Sequence, residues 1–268
     1  MPNIPHPDLF FPSISAMLPP SFRIGILSAV AYSFFGVINL RDEVRKTLSG
    51  LFDRYLTSDM KVYDIGCGNK PFGPILAGKV KDHIGVDIED GFYDSHHIDL
   101  IGSAYHVPVE DGTGDAVISS QVIEHLDRPV DAIKETARVL KSGGVLLISF
   151  PFLCPIHAEP HDYTRFTEYA MSKLLKDHGF EIVEMSRIGG FWYIAGMYLH
   201  MYLKSFDRGL LKKIRLVSAL SWVFLWLITQ IHRLEGAVMK AAGKNPEELR
   251  KKWTVNYTFV ARKGAQPG

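Results

Sequence analysis

The sequence predicts an α/β fold with a parallel sheet, and three observations carry that expectation. From Lys61 onward, short β-branched runs alternate with helical segments, the signature of βαβ units. One of those runs ends in Asp64 and passes straight into Gly66-Cys67-Gly68, where glycine permits a sharp turn and a close ligand approach. The 268 residues are 47% hydrophobic and 22% charged, which suits one large domain with embellishments and excludes disorder.

The first twenty residues are proline-rich, favour an extended arm, and lack the positive n-region of a secretory signal. Ile24 to Leu40 is an apolar run bracketed by Arg23 and Arg41, readable as a buried helix or as an interfacial membrane helix. Arg41 to Leu56 has apolar positions at helical spacing. The alternation then runs KVYDIG, PILAGKV, HIGVDI, HHIDLIG, DAVISS, PVDAIKETARVL, GGVLLISF, EYAMSKLLKDHGF and EIVEM. Pro129 is placed to start the sixth of these as a helix, and Gly143-Gly144 to end it. A last strand is expected from Trp253 to Lys263. The implied organisation is an N-terminal arm with helices at 1–60, a catalytic domain at 61–186 and 253–263, and an apolar helical insertion at 187–252.

Two cysteines, Cys67 and Cys154, exclude a disulfide scaffold and point to a reducing compartment. A formal net charge of +1 argues against a nucleic-acid partner, whose footprint is a basic excess.

The glycine turn carries the most specific chemistry. A dinucleotide fingerprint needs a third glycine, but Pro71 stands there. The carboxylate of Asp64 would repel a pyrophosphate and suits a ligand bearing an ammonium group, such as S-adenosylmethionine. About 20 residues on, a second strand ends in Asp87, where an acid meets ribose hydroxyls in Rossmann-like sites. Taken together, DIGCGNKPF, GVDIED, GSAYHVPVEDGTGDAVISSQVIEHL and RVLKSGGVLLISFPF resemble a class I S-adenosylmethionine-dependent methyltransferase of the type-11 kind. The resemblance implies a Rossmann-like seven-stranded sheet with the last strand antiparallel, to which this sequence adds N-terminal helices and a helical insertion before that strand. It implies that Asp64, Gly66 and Gly68 hold the methionine part, Asp87 the ribose, and Ser103 and Ala104 the adenine. Cys67, Ile88, Ser120 and Gln121 complete the expected cofactor set. Where Ser103 stands the family usually has an acid, a departure that bears on the adenine amino contact.

Ligands of open α/β sheets bind at the carboxyl ends of the strands, so two segments face the reacting methyl group. One is Gln121 to His125; the other, PFLCPIHAEPHDYTRFT, gathers His157, Glu159, His161, Asp162, Tyr163 and Arg165. Methyl transfer to a hydroxyl requires alignment and removal of a proton, a task histidine suits near neutral pH. His161, His157 and His125 are the candidate bases, with Glu124 and Glu159 as bases or orienters; each histidine also has a plain loop-ordering reading. The His-x-Glu-x-x-His spacing contains Pro160, which bars a regular helix, so no metal is expected there. The loop resembles a PIHxxPxDYxRFT pattern of methyltransferases associated with bacterial surface polysaccharides and glycolipids.

In this fold the strand at Glu181 to Met185 ends on the active-site side, and 67 residues intervene before the last strand. From Arg187 to Lys252 there are 12 basic and 4 acidic residues, a net of +8 that leaves −7 for the rest. Lys204, Arg208, Lys212, Lys213 and Arg215 precede the uncharged run Leu216 to Ile231, which is slightly short for a membrane span. This combination suits an interfacial element on an anionic membrane surface, or a helical lid with a solvated basic face. Trp222 and Trp226 are not assigned to binding, since aromatic residues in such a stretch more often serve the core. The expected function is a cytoplasmic methyltransferase, peripheral on the inner face of a membrane, acting on a hydroxyl of an amphipathic or lipid-linked saccharide acceptor. The alternatives are a soluble enzyme for a quinone- or polyketide-like acceptor and a noncatalytic adaptor. Nothing in the sequence specifies the oligomeric state.

Overall fold

The computed structural model describes residues 40–89, 95–206 and 216–264. The expected apolar helix at 24–40 (apart from Leu40), the proline-rich arm, and Arg208, Lys212, Lys213 and Arg215 lie outside the described residues, as do the side chains of Lys204 and Trp222.

The element order is α1 (Leu40–Tyr55), β1 (Lys61–Ile65), α2 (Gly73–Leu76), β2 (Asp82–Asp87), β3 (Leu100–Ile101), β4 (Gly114–Ser120), α3 (Pro129–Val139), β5 (Leu140–Pro151), α4 (Glu168–Asp177), β6 (Phe180–Gly189), α5 (Phe191–Lys204), α6 (Leu216–Ala241), α7 (Pro246–Lys252) and β7 (Thr254–Lys263). The strands form a seven-stranded sheet in the order β3-β2-β1-β4-β5-β7-β6. The pairs β1/β2, β1/β4, β2/β3 and β4/β5 are parallel, and β7 runs antiparallel to β5 from Asn256 opposite Pro151 to Arg262 opposite Val145. This is the Rossmann-like sheet with an antiparallel last strand that the sequence implied. The strand order reverses between β1 and β4, which makes their carboxyl ends the topological switch point where such sheets bind ligands.

Two compact units divide the chain. One comprises the described residues of Val44–Arg187 and Asn256–Gly268, and the other those of Ile188–Val255 with the first residues of α1. The sheet unit is built on strands that read as unbroken apolar runs because helices cover both faces. Val62, Tyr63, Ile65, Val117, Ile118, Leu146, Leu147, Ile148 and Phe259 are all buried. Helix α3 buries Ala132, Ile133, Thr136 and Val139, one face at helical spacing, and Pro129 opens it as expected. Thr167 caps α4, its Oγ1 accepting from the Ala170 N–H at 3.1 Å.

One boundary differs from the expectation. Gly143-Gly144 does not end α3, which stops at Val139. Gly114 pairs with Leu140 and Ala116 with Val145, so residues 141–144 bulge from the start of β5. Gly143 has φ +78°, and a Cβ on Gly144 would sit 2.9 Å from the Lys141 carbonyl oxygen. The pair therefore serves the bulge, and the helix stops because the strand has already begun.

In the second unit α5 packs along α6, with Tyr193, Met197, Leu225 and Thr229 buried. No helix among the described residues is long and apolar enough to cross a membrane.

Candidate active site

The turn after β1 is tied to the end of β2 by backbone. The N–H groups of Gly66 and Cys67 donate to the Val86 carbonyl at 2.8 and 3.3 Å. Gly66 has φ +76°, and a Cβ there would lie 2.4 Å from Val122 Cγ2. The turn from β1 and the segment after β4 thus meet at the switch point, with no room for a side chain at Gly66. Asp87 closes the arrangement: its Oδ2 accepts from the Gly68 N–H at 2.7 Å and its Oδ1 from the Ile88 N–H at 2.8 Å. Ile88 follows with 48% of its surface exposed.

The other expected cofactor residues fall around this turn in differing roles. Asp64 is only 2% exposed, and its Oδ2 lies 3.1 Å from His83 Nε2. Cys67 is buried with its Sγ 3.7 Å from the Gly68 carbonyl, and burial, with Asp64 and Asp87 nearby, pushes its thiol up to about 12. Gly102, at the end of β3, donates to the Asp87 carbonyl at 2.9 Å, which brings Ser103 next to the site. The Ser103 hydroxyl accepts from the Tyr105 N–H at 3.3 Å, and Ala104 packs on the core. Ser120 and Gln121 bind β5 through Ser149: the two serine hydroxyls are 2.9 Å apart, and Gln121 Nε2 donates at 3.1 Å. Gln121 has φ +58° without being glycine, a strained conformation of the kind that clusters at functional sites.

The candidate catalytic residues occupy the next strand ends. Glu124 and His125 lie on a 3-10 turn, Ile123–His125, and the loop after β5 docks on it, with the N–H groups of Tyr163 and Thr164 donating to the Glu124 carbonyl at 2.8 and 3.3 Å. Glu124 is 1% exposed and neither carboxyl oxygen has a hydrogen-bond partner. Burial is the main reason its carboxyl is raised to about 8. Burial likewise lowers the pKa of His125, with His157 adding to the effect. His125 Nδ1 is 2.6 Å from the His161 carbonyl; a carbonyl only accepts, so Nδ1 carries the proton and Nε2 the free lone pair. That Nε2 is 3.8 Å from Glu124 Oε1, and the His125 and His157 rings meet edge to face with centroids 5.0 Å apart.

His157 is held by a pair the sequence did not single out as a unit. Asp162, nearly sealed from solvent, accepts from both terminal nitrogens of Arg165 and from the His157 N–H at 2.9 Å. Burial opposes ionisation of Asp162, but Arg165 and the His157 amide hold its carboxyl below the usual range. His161 is exposed, 3.2 Å from the Tyr163 hydroxyl through Nδ1. The structure therefore brings Glu124, His125 and His157 together and leaves His161 and Glu159 outside that group. The His83 contact with Asp64 was also unforeseen. Its signal is positional: His83 and Asp64 lie on adjacent parallel strands, two residues from the Asp64–Gly85 pairing.

Residues 63–148 match the type-11 family model described as a methyltransferase domain. A "probable S-adenosylmethionine-dependent methyltransferase" of Mycolicibacterium smegmatis is 30% identical over 139 residues, covering 45% of this chain and 52% of that one. A ubiquinone biosynthesis O-methyltransferase of Ruegeria sp. is 26% identical over 123 residues, covering 40% and 50%. A solved S-adenosylmethionine-dependent methyltransferase from Archaeoglobus fulgidus shares the fold, with a TM-score of 0.50 at 17% identity over 82% of this chain and 94% of that one. The chain spans about half the length of these two curated relatives. Sheet, switch-point turn and matches define a class I S-adenosylmethionine-dependent methyltransferase domain. Within that class, residues 63–148 are similar to the type-11 family model. The cofactor of the domain is S-adenosyl-L-methionine, and the residues fit it: Asp87 stands at the end of β2 with its carboxylate on the Gly68 amide of the glycine turn, where such sheets meet ribose hydroxyls.

Proposed function

We propose that this protein transfers a methyl group from S-adenosylmethionine to a hydroxyl of an amphipathic or lipid-linked acceptor, with a saccharide as the methylated part. The observation that carries methyl transfer is the Asp87 carboxylate bonded to the Gly68 amide at the switch point. When bound, the cofactor supplies a methyl group already activated by its sulfonium. Asp87 would hold the ribose hydroxyls, Gly66 and Gly68 would let the backbone approach the methionine chain, and Ile88 offers apolar surface beside them. What remains for the protein is to align the acceptor and take its proton. His125 offers a neutral Nε2 for that purpose, and Glu124, His157 and His161 are its neighbours in space or on the loop.

Oxygen as the acceptor atom is supported by the Ruegeria relative, whose name states O-methyl transfer. The amphipathic acceptor is supported by α6. Leu220, Val223, Phe224, Leu227, Ile231 and Leu234 recur at intervals of three and four and are all exposed among the described residues. With the net charge of +8 over residues 187–252, this face suits an anionic membrane surface. The ubiquinone-related name favours a second reading, a soluble small-molecule acceptor of quinone type.

Two assays separate these readings. The full chain is incubated with methyl-labelled S-adenosylmethionine and either cell-envelope lipid extracts or water-soluble metabolites, and in parallel is sedimented with anionic and neutral vesicles. Label in the lipid extract, with salt-sensitive co-sedimentation on anionic vesicles, is expected. Label only in free small molecules, with no protein in either pellet, transfers the assignment to the soluble reading. Label in neither fraction removes the enzymatic proposal.

A further inference from the structure

We infer that Glu124, His125 and His157 form a binding site for a first-row divalent transition-metal ion. Among the described residues they are the one group of three or more potential ligands that converges, with one ligand atom from each lying within 4.8 Å of the others. Bond lengths of about 2.1 Å in a tetrahedral site place ligand atoms about 3.4 Å apart, so small side-chain rotations close the group on an ion. Convergence alone would be weak, but two further observations point to a cation.

The first is Glu124. Its carboxyl group is 1% exposed, and both oxygens lack any hydrogen-bond partner. Buried polar groups are hydrogen-bonded or coordinate metals. No cationic side chain pairs with this one: its ion-pair neighbour is the His125 imidazole at 3.8 Å. Arg165, the charged group nearby on the docking loop, gives both terminal nitrogens to Asp162, and its buried Nε makes no hydrogen bond to Glu124 or to any other group. A metal ion supplies the missing partner.

The second observation is how the imidazoles are held. A metal-ligating histidine donates its other ring N–H to a carbonyl or carboxylate, which orients the ring and fixes the tautomer. His125 does so to the His161 carbonyl at 2.6 Å. His157 Nδ1 faces the Pro155 carbonyl at 3.1 Å and Asp162 Oδ2 at 3.5 Å. An Arg165 nitrogen lies at 3.4 Å from the same Nδ1, but the shorter contact to a pure acceptor sets the proton on Nδ1. Both Nε2 lone pairs are thereby free, and both rings are fixed from behind. Two imidazoles and one carboxylate select zinc, iron(II), cobalt or manganese over magnesium and calcium, which prefer all-oxygen shells. Three protein ligands leave open positions. Under the methyl-transfer reading, on which this use of the site rests, an acceptor oxygen fills one and releases its proton more readily to solvent, His125 then serving as a ligand in place of a base.

The site is tested on untagged, chelator-stripped full-length protein titrated with Co2+ alone, read by visible absorption and competed with Zn2+. Neither cofactor nor acceptor is present, so the result is independent of the methyltransferase assignment. One equivalent of Co2+ with ligand-field bands displaced by Zn2+ is expected. Glu124→Gln and His157→Asn should each weaken it at least about 100-fold while far-ultraviolet circular dichroism and the melting midpoint show a folded chain. Glu159→Gln and His161→Asn should leave binding intact. Absence of the bands overturns the site, as does binding that survives Glu124→Gln and His157→Asn or that is lost with Glu159→Gln and His161→Asn. Restoration of methyl transfer by Zn2+ or Mn2+ after chelation then reports separately on the use of the ion.

Discussion

Gly66 shows how much one residue can decide. Its φ of +76° and the 2.4 Å gap to Val122 are two independent reasons for the absence of a side chain. A Gly66→Ala change would pay about 1–3 kcal/mol for the backbone conformation and would also push the turn off the segment after β4. We expect the variant to be destabilised in urea and to bind S-adenosylhomocysteine at least about tenfold more weakly in calorimetry; unchanged stability and affinity would refute the cradle at this turn. Such residues were legible as a motif, DIGCG followed by an acid about 20 residues on. Their individual duties were not. Asp64 looks from sequence like the open end of a strand, yet it is nearly sealed beside His83. Cys67 sits in the motif with its thiol turned toward Gly85 rather than outward.

Among the elements, α3 is fastened to the loop after β3 by Glu135 and Arg138. Glu135 Oε1 accepts from the Val107 N–H at 2.6 Å and from Arg138 at 2.7 Å, while Arg138 also reaches Asp111 and the carbonyls of Val107 and Val109. Burial opposes ionisation of Glu135, but Arg138 and the Val107 amide outweigh it and hold its pKa below the ordinary value. A depressed carboxylate stabilises the fold above its unfolded pKa and loses that contribution as pH falls through the lower, folded one. Glu135→Gln should therefore cost about 1–3 kcal/mol at pH 7, and the gap to the unaltered protein should shrink as pH drops below the usual carboxylate range. Urea denaturation at both ends of that range measures it, and a gap that is constant with pH would exclude the ionic tie. The helix itself was readable from its apolar spacing and Pro129. Its end was misplaced at Gly143-Gly144 because a glycine pair serves a helix stop and a strand bulge equally well in a linear sequence.

For the whole molecule, the sheet unit and the second unit differ in what can act on them. S-adenosylmethionine binds the folded sheet unit and not its unfolded chain, so at 100-fold its dissociation constant it should add about 2.7 kcal/mol. For a domain of this size that is an upward shift of about 5–10 °C in the unfolding midpoint of that unit. Scanning calorimetry with and without ligand reads it, and a midpoint indifferent to both the cofactor and S-adenosylhomocysteine would favour an adaptor that keeps the fold without the ligand. What the sequence determined by itself was the alternation of strands and helices, the glycine turn with its two acids, and the apolar basic stretch before β7. These follow from local spacing, backbone preference and charge count, all properties of contiguous residues. Only the tertiary structure decided which chemical groups meet. Glu124 and His125 follow β4 and His157 follows β5, and they converge because those strands are parallel neighbours with carboxyl ends on one edge. His161, close to His157 in sequence, is turned away by the same loop that pins His157 with Asp162 and Arg165. Burial then leaves Glu124 without a partner, a condition that depends on every neighbour at once and so has no trace in the order of residues.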